Sequence, residues 1–507
     1  MKRIFVLTFL LISSTWFVTA NVTLPRIFSD NMVLQRDMHV PVWGHADPGE
    51  IVKAALGVHI AQTTADENGH WKLYLGPLDP GGPFELTISG NNRITVRNVL
   101  VGEVWVCSGQ SNMAMEVENC LDAAREKNNA NYAEIRQFQV KRTKSTRPLK
   151  DVSPVDAKTS WLNSWEICSP STVGHFTGTG YFFALELYKK LGIPIGLIHA
   201  SWGGTTAEAW MPADTFVTDS EFSLILEHWP DYNNDEEWLK EEYANFVKET
   251  EKARKNGSSL PLYFNQPSVL FNGIIAPVIP FGIRGVTWYQ GESNAYRAYQ
   301  YQTLFPALIK QWRRAWQQGD FPFLFVQLAN YHFEPQVFPE LREAQQMALS
   351  LPVTAMAVAI DVGDSADIHP KNKQEVGKRL ALAARGLIYG EDLVFSGPVY
   401  KSMHVEKGRC WLEFDQTGAG LTIADNKPLK GFTVAGTDRI FIEAKAIVDG
   451  NRVIVWNENV KDPVAVRYAW ANHPQGCNLY NQQNNRYFLP ASPFRTDTWP
   501  GITQTRK

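Results

Sequence analysis

Cysteine is scarce in this chain, with five in 507 residues, at positions 107, 120, 168, 410 and 477. None sits in a CxxC pair or among clustered histidines, so nothing suggests a zinc site. The odd number leaves at least one thiol unpaired even in an oxidising compartment. An excess of charge of one sign is also lacking. Forty-nine Lys and Arg stand against 52 Asp and Glu, a net charge of -3, with no electrostatic pull toward nucleic acid or anionic membrane. No apolar run reaches membrane-spanning length, and there is no internal repeat or low-complexity tract.

What is present fits a folded soluble protein, with 44% hydrophobic and 20% charged residues. The length exceeds what one core usually holds, so two or three domains are expected. The first 20 residues read as an export signal. Lys2 and Arg3 precede an apolar run, and Val18-Thr19-Ala20 supplies the small residues of a cleavage site. The mature chain is therefore expected in the periplasm or outside the cell. Aromatic residues reach 12%, with 17 Trp, which suits either sugar-ring surfaces or the packing of β-domains.

From residue 21 to 100, short apolar runs alternate with turns such as Asp47-Pro48-Gly49 and Glu67-Asn68-Gly69, the rhythm of an antiparallel β-domain. Between 101 and 393 strands alternate with helices. Strands are expected at 104–106, 193–199, 283–289, 321–328 and 355–360, and helices around 116–125, 179–191 and 300–316. This predicts an α/β domain with a doubly wound, mainly parallel sheet. A Glu-, Lys- and Trp-rich stretch at about 219–256 reads as a helical insertion or lid. From 394 to 507 the β texture returns, with strands at 410–414, 439–442 and 452–456, as a second antiparallel β-domain.

Polar clusters follow the expected parallel strands, and ligands bind beyond the carboxyl ends of such strands. Gly109-Gln110-Ser111-Asn112 follows the first, Ser201-Trp202-Gly203-Gly204 the second, Gln290-Gly291-Glu292-Ser293-Asn294 the third and 361–370 the last. A serine alcohol needs a base to take its proton, and the resulting oxyanion needs aimed donors. Ser111 is the candidate nucleophile and His369 the candidate base. Asp367 would orient the imidazole, Asp364 is the weaker alternative, and a Ser–His dyad remains open. The backbone of Ser111, that of Gly203 or Gly204, and the side-chain amides of Gln290 or Asn294 are candidate oxyanion donors. Glu208 and Glu292 read as structural, pairing with an arginine or buttressing a loop.

Val104–Met113, Ser201–Thr205, Trp288–Asn294 and Asp367–Pro370 resemble the blocks of the sialate O-acetylesterase family, within the SGNH-type esterases. Ile27–Arg36 and Leu489–Asp497 resemble the ends of the same family, so the likeness runs through nearly the whole mature chain. It implies an SGNH-hydrolase-like fold and hydrolysis of acetyl esters on sialic acid, without metal or organic cofactor. It also implies Ser111 as nucleophile, His369 as base, and Ser111, Gly203 or Gly204, and Gln290 as the oxyanion hole. The broader SGNH pattern places an acid three residues before the histidine, where this chain has Ala366. Acetylated xylan or another glycan is the alternative substrate, and a non-catalytic sugar-binding protein the alternative class. Nothing reads as a dedicated clamp for a sialic acid carboxylate; Arg284, Arg297 or Arg342 could serve, but each reads as an ordinary surface arginine.

Overall fold

The computed structural model describes residues 21–159, 161–218, 220–234, 237–424, 427–483 and 487–505. The expected export signal, residues 1–20, lies outside the described residues. Among the described residues no helix is long and apolar enough to cross a membrane.

The organising element is one 17-residue strand, Arg93–Gly109. From Val99 onward every one of its residues is buried, the near-continuous apolar run of a strand covered on both faces. Its first half pairs with the antiparallel strand Gly81–Ser89 and, in parallel, with Val33–Gln35. Its second half is the centre of the parallel sheet. The expected boundary at residue 100 therefore falls inside a single strand, and the N-terminal β-region continues directly into the core. Glu103, the one charged residue in the buried half, accepts from Arg36 Nε and from Arg284 Nε (2.6 Å), which ties the two regions together.

Across the core sheet the order is Thr354–Val358, Phe323–Gln327, Gly285–Tyr289, Arg93–Gly109, Ile195–Ser201, Ile135–Gln139, Trp165–Ile167. All neighbours are parallel except the last pair. The chain runs out from the central strand to one side first and later fills the other, so strand order reverses at Arg93–Gly109. Helix Gly178–Leu191 packs on helix Lys373–Leu387, and helix Ala298–Trp316 on Phe338–Met347. Thr177 caps the first of these and Gly192, at φ +64°, ends it, as the glycine stop predicts.

Register positions the site. Ser201 and Tyr289 are both level with Gly109, so three loops leave the sheet side by side. Gly109 has φ +132°, and a Cβ there would run into the backbone of Tyr289. Only glycine permits this approach, through which Gln110 N–H reaches Tyr289 O at 2.9 Å.

Two expectations differ from the structure. The helix expected around 116–125 is broken into a short 3-10 turn, Val117–Asn119, and the helix Ala123–Asn128, because Asp122 takes a left-handed conformation (φ 54°). The strand expected at 439–442 shrinks to Ile442–Glu443, with Arg439 also left-handed at φ 63°. The 219–256 stretch is helical where described, as Ser220–His228 and Glu237–Lys255. Beyond Val399 the strands form small antiparallel sheets. They are joined to the core by Ser492 with Gln327 (2.8 Å), by Arg495 with Glu343, and by Thr503 with Glu340.

Candidate active site

Ser111 opens a single helical turn, Ser111–Ala114, immediately beyond the central strand. Its Oγ lies 2.8 Å from His369 Nε2, across 258 residues of chain. His369 sits in the loop between strand Thr354–Val358 and helix Lys373–Leu387. Asp367 acts on it twice. Its Oδ1 accepts from the His369 backbone N–H at 2.9 Å and stands 3.4 Å from Nδ1. The second contact is long for a hydrogen bond, so the backbone bond contributes most to the loop geometry. Asp364 instead accepts from Ala366 N–H at 2.8 Å, closing a turn away from the imidazole. Asp361 anchors the start of the loop through a two-pronged pair with Arg379 (2.6 and 2.8 Å).

Burial holds the His369 imidazolium below its ordinary value near 6.5, and the Lys373 ammonium acts in the same direction, while Asp367 opposes both. The neutral, proton-accepting form therefore persists into mildly acid solution.

A second set of side chains fixes this pair. Asn112, buried beside Ser111, donates through Nδ2 to Glu292 Oε1 (2.6 Å) and to Ile368 O (3.0 Å). Its Oδ1 accepts from Lys373 Nζ at 2.6 Å. One amide thus joins the serine turn, the 290–294 loop and the residue before His369. Lys373 is fully buried, and desolvation pulls its pKa down to about 8. Neither Asn112 nor Lys373 was among the residues expected from the sequence. The only signal for them was adjacency, one following Ser111 and the other lying four residues after His369.

Gly203 and Gly204 lie beside the serine. A Cβ on Gly203 would stand 3.2 Å from Ser111 Cβ, and one on Gly204 (φ +72°) would strike the Trp238 indole. Among the described residues, neither the Ser111 nor the Gly203 amide has a protein acceptor. Gln290 and Asn294 are placed differently from the oxyanion role expected of them. Gln290 is fully buried, and its Nε2 donates to Thr205 O (3.1 Å) and Asn294 Oδ1 (2.6 Å) while Oε1 accepts from Tyr301 OH (2.9 Å). Asn294 donates to Glu208 Oε2 (3.0 Å) and accepts from Ala207 N–H (2.9 Å). Both amides brace the glycine loop from behind. Glu208 completes the brace through Arg297 (2.6 Å), whose guanidinium lies 3.7 Å above the Tyr232 ring.

The three arginines considered for a carboxylate clamp are all engaged elsewhere. Arg297 holds Glu208, Arg284 holds Glu103, and Arg342, wholly buried, donates to the carbonyls of Leu328, Ala329, Ala471 and Asn472. One group of described residues could hold a cation. Glu116, Glu118 and His175 bring ligand atoms within 4.8 Å of one another, but Lys127 already stands 3.8 Å from Glu118.

A serine hydroxyl on an imidazole, beside two unpartnered amides at the carboxyl edge of a parallel sheet, is equipped for acyl transfer, the chemistry of an esterase. The comparisons place it within that class. The profile of the family described as carbohydrate esterase, sialic acid-specific acetylesterase, matches residues 101–385. The mouse sialate O-acetylesterase is 32% identical, over 92% of this chain and 93% of its own. The human sialate O-acetylesterase is also 32% identical, over 93% and 92%. Among solved structures, a carbohydrate acetylesterase from Xanthomonas citri aligns over 94% of this chain and all of its own, with 38% identity and a TM-score of 0.81. The chain belongs to the sialate O-acetylesterase family. It is a carboxylic ester hydrolase, an acetylesterase acting on sugars.

Proposed function

We propose that this protein hydrolyses O-acetyl sugars through Ser111 and His369, on a doubly wound core. The observation that carries the reading is the 2.8 Å contact between Ser111 Oγ and His369 Nε2. Ser111 Oγ attacks the acetyl carbonyl carbon as Nε2 takes its proton. The amides of Ser111 and Gly203 receive the oxyanion, with Gly204 setting the path of the loop. Collapse expels the sugar hydroxyl, which takes the proton from Nε2. Water then attacks the acetyl-serine, losing its proton to His369; as the Oγ–acyl bond breaks, Ser111 Oγ takes that proton back from Nε2 and acetate leaves. Asp367 holds the imidazole in the required orientation.

Residues 1–20 support export, so the reaction is proposed to occur outside the cytoplasm. The names of the mammalian relatives point to O-acetylated sialic acid as the first substrate to assay, with an acetylated neutral glycan such as acetylated xylan as the second. Acetate release from both, by wild type and by Ser111→Ala, tests the reading. The variant is expected to lose activity by a thousandfold or more, on the order seen when such nucleophiles are removed. Full activity in the variant would remove Ser111 from the reaction.

A further inference from the structure

A cleft of about 310 Å³ opens beside the loops that carry Glu292 and Ile368. It lies between helix Glu237–Lys255, the turn after Gln290, the 331–338 loop and Ile368, the residue before His369. Much of its wall is aromatic, from Trp238, Tyr296, Tyr331 and Phe333. Tyr331 and Phe333 stack with ring centres 5.6 Å apart, and Tyr296 packs on Phe333 at 6.3 Å. Trp238 is 43% exposed, although its ring lies against Gly204 of the glycine loop. A large apolar surface left this open, against the glycine loop, suits the CH face of a sugar ring.

The charged part of the lining has one sign. Glu237, Glu292 and Glu334 contribute carboxylates, and among the described residues no lysine or arginine lines the cleft. Glu237 pairs with Lys240 at 3.1 Å on the exposed side and Glu292 accepts from Asn112, which also holds the buried Lys373 ammonium, so Glu334, which accepts from the neutral Gln336, carries the charge least offset. The cations considered as anchors are bound elsewhere in the fold. Arg142, whose Nε donates to Ser201 O at 3.2 Å, is outside the lining and has Glu116 beside it.

From this lining we propose that the cleft seats an uncharged O-acetylated sugar, and that a sugar carrying a carboxylate, as a sialic acid does, is disfavoured there. The inference rests on the reading of Ser111 and His369 as the acetyl-transfer pair. One like charge about 8 Å away in water-like surroundings weakens binding about twofold, and two weaken it about fivefold. Salt should erase the effect, because the screening length falls from about 30 Å at 0.01 M to about 3 Å at 1 M.

The experiment measures kcat/KM for an acetylated xylo-oligosaccharide and for an O-acetylated sialic acid, at 0.01 M and 0.5 M salt, with 4-nitrophenyl acetate as reference. The neutral ester is expected to be favoured about twofold or more at low salt, with the gap narrowing at high salt. Glu334→Gln is expected to narrow it by about twofold at low salt. A sialic ester turned over as fast as the neutral one, a gap indifferent to both salt and Glu334→Gln, or sialate activity lost selectively in Arg142→Gln would each overturn the proposal. If even 4-nitrophenyl acetate is untouched by wild type, the esterase reading itself fails. If it is cleaved while the neutral sugar ester is not, only the cleft assignment fails.

Discussion

Replacing Asn112 by alanine removes three hydrogen bonds at once, to Lys373 Nζ, Glu292 Oε1 and Ile368 O. The bonds to the Lys373 ammonium and to the Glu292 carboxylate are worth about 1.5–3 kcal/mol each and the one to Ile368 O about 1 kcal/mol, so Asn112→Ala should cost about 5 kcal/mol of stability. Much of that reflects a buried ammonium left without an acceptor. Activity should fall as well, because Ile368 O is the anchor that precedes His369. A displacement near 1 Å in such an arrangement costs on the order of 100-fold. Urea unfolding at pH 7, followed by tryptophan fluorescence, reads the first effect. The kcat for an aryl acetate, at a temperature where the variant stays folded, reads the second. A variant within about 1 kcal/mol of wild type, with kcat unchanged, would refute the network.

The pH profile follows from His369. The base must be neutral, so kcat/KM should fall as pH drops through a midpoint below about 6.5, its ordinary value. Removing the positive charge in Lys373→Met should raise the His369 pKa and move that acid limb to higher pH, as read in a kcat/KM profile from pH 4 to 8. Asp367→Asn removes the group that opposes burial, so its limb should move to lower pH and its rate should fall, whereas Asp364→Asn should resemble wild type in the same assay. Gly109→Ala should yield little soluble protein, because the new methyl meets the Tyr289 backbone and the residue would hold φ +132°; normal expression and melting would contradict the packing described.

Much of the arrangement was legible because it is local. The apolar run ending at Gly109, the Gly192 stop, and the loops carrying Ser111, Gly203 and His369 are written in consecutive residues. The breaks at Asp122 and Arg439 were not, since a left-handed aspartate or arginine leaves no mark in apolar spacing. The network of Asn112, Glu292 and Lys373 was also hidden, because it joins loops up to 261 residues apart. Burial could not be read for the polar residues either. Gln290 and Asn294 sit in motif-like loops yet face inward to each other and to Thr205 and Glu208. Arg284, Arg297 and Arg342 read as surface groups until the fold supplies Glu103, Glu208 and four carbonyls as partners.

The nucleophile is the centre of the account, and covalent labelling tests it most directly. A fluorophosphonate should phosphonylate the native enzyme once, with fluoride leaving, and peptide mass spectrometry should place the adduct on Ser111. The label should be lost in His369→Ala, because without the base the hydroxyl keeps its proton. An adduct on another serine, or labelling that is indifferent to His369, would contradict the assignment.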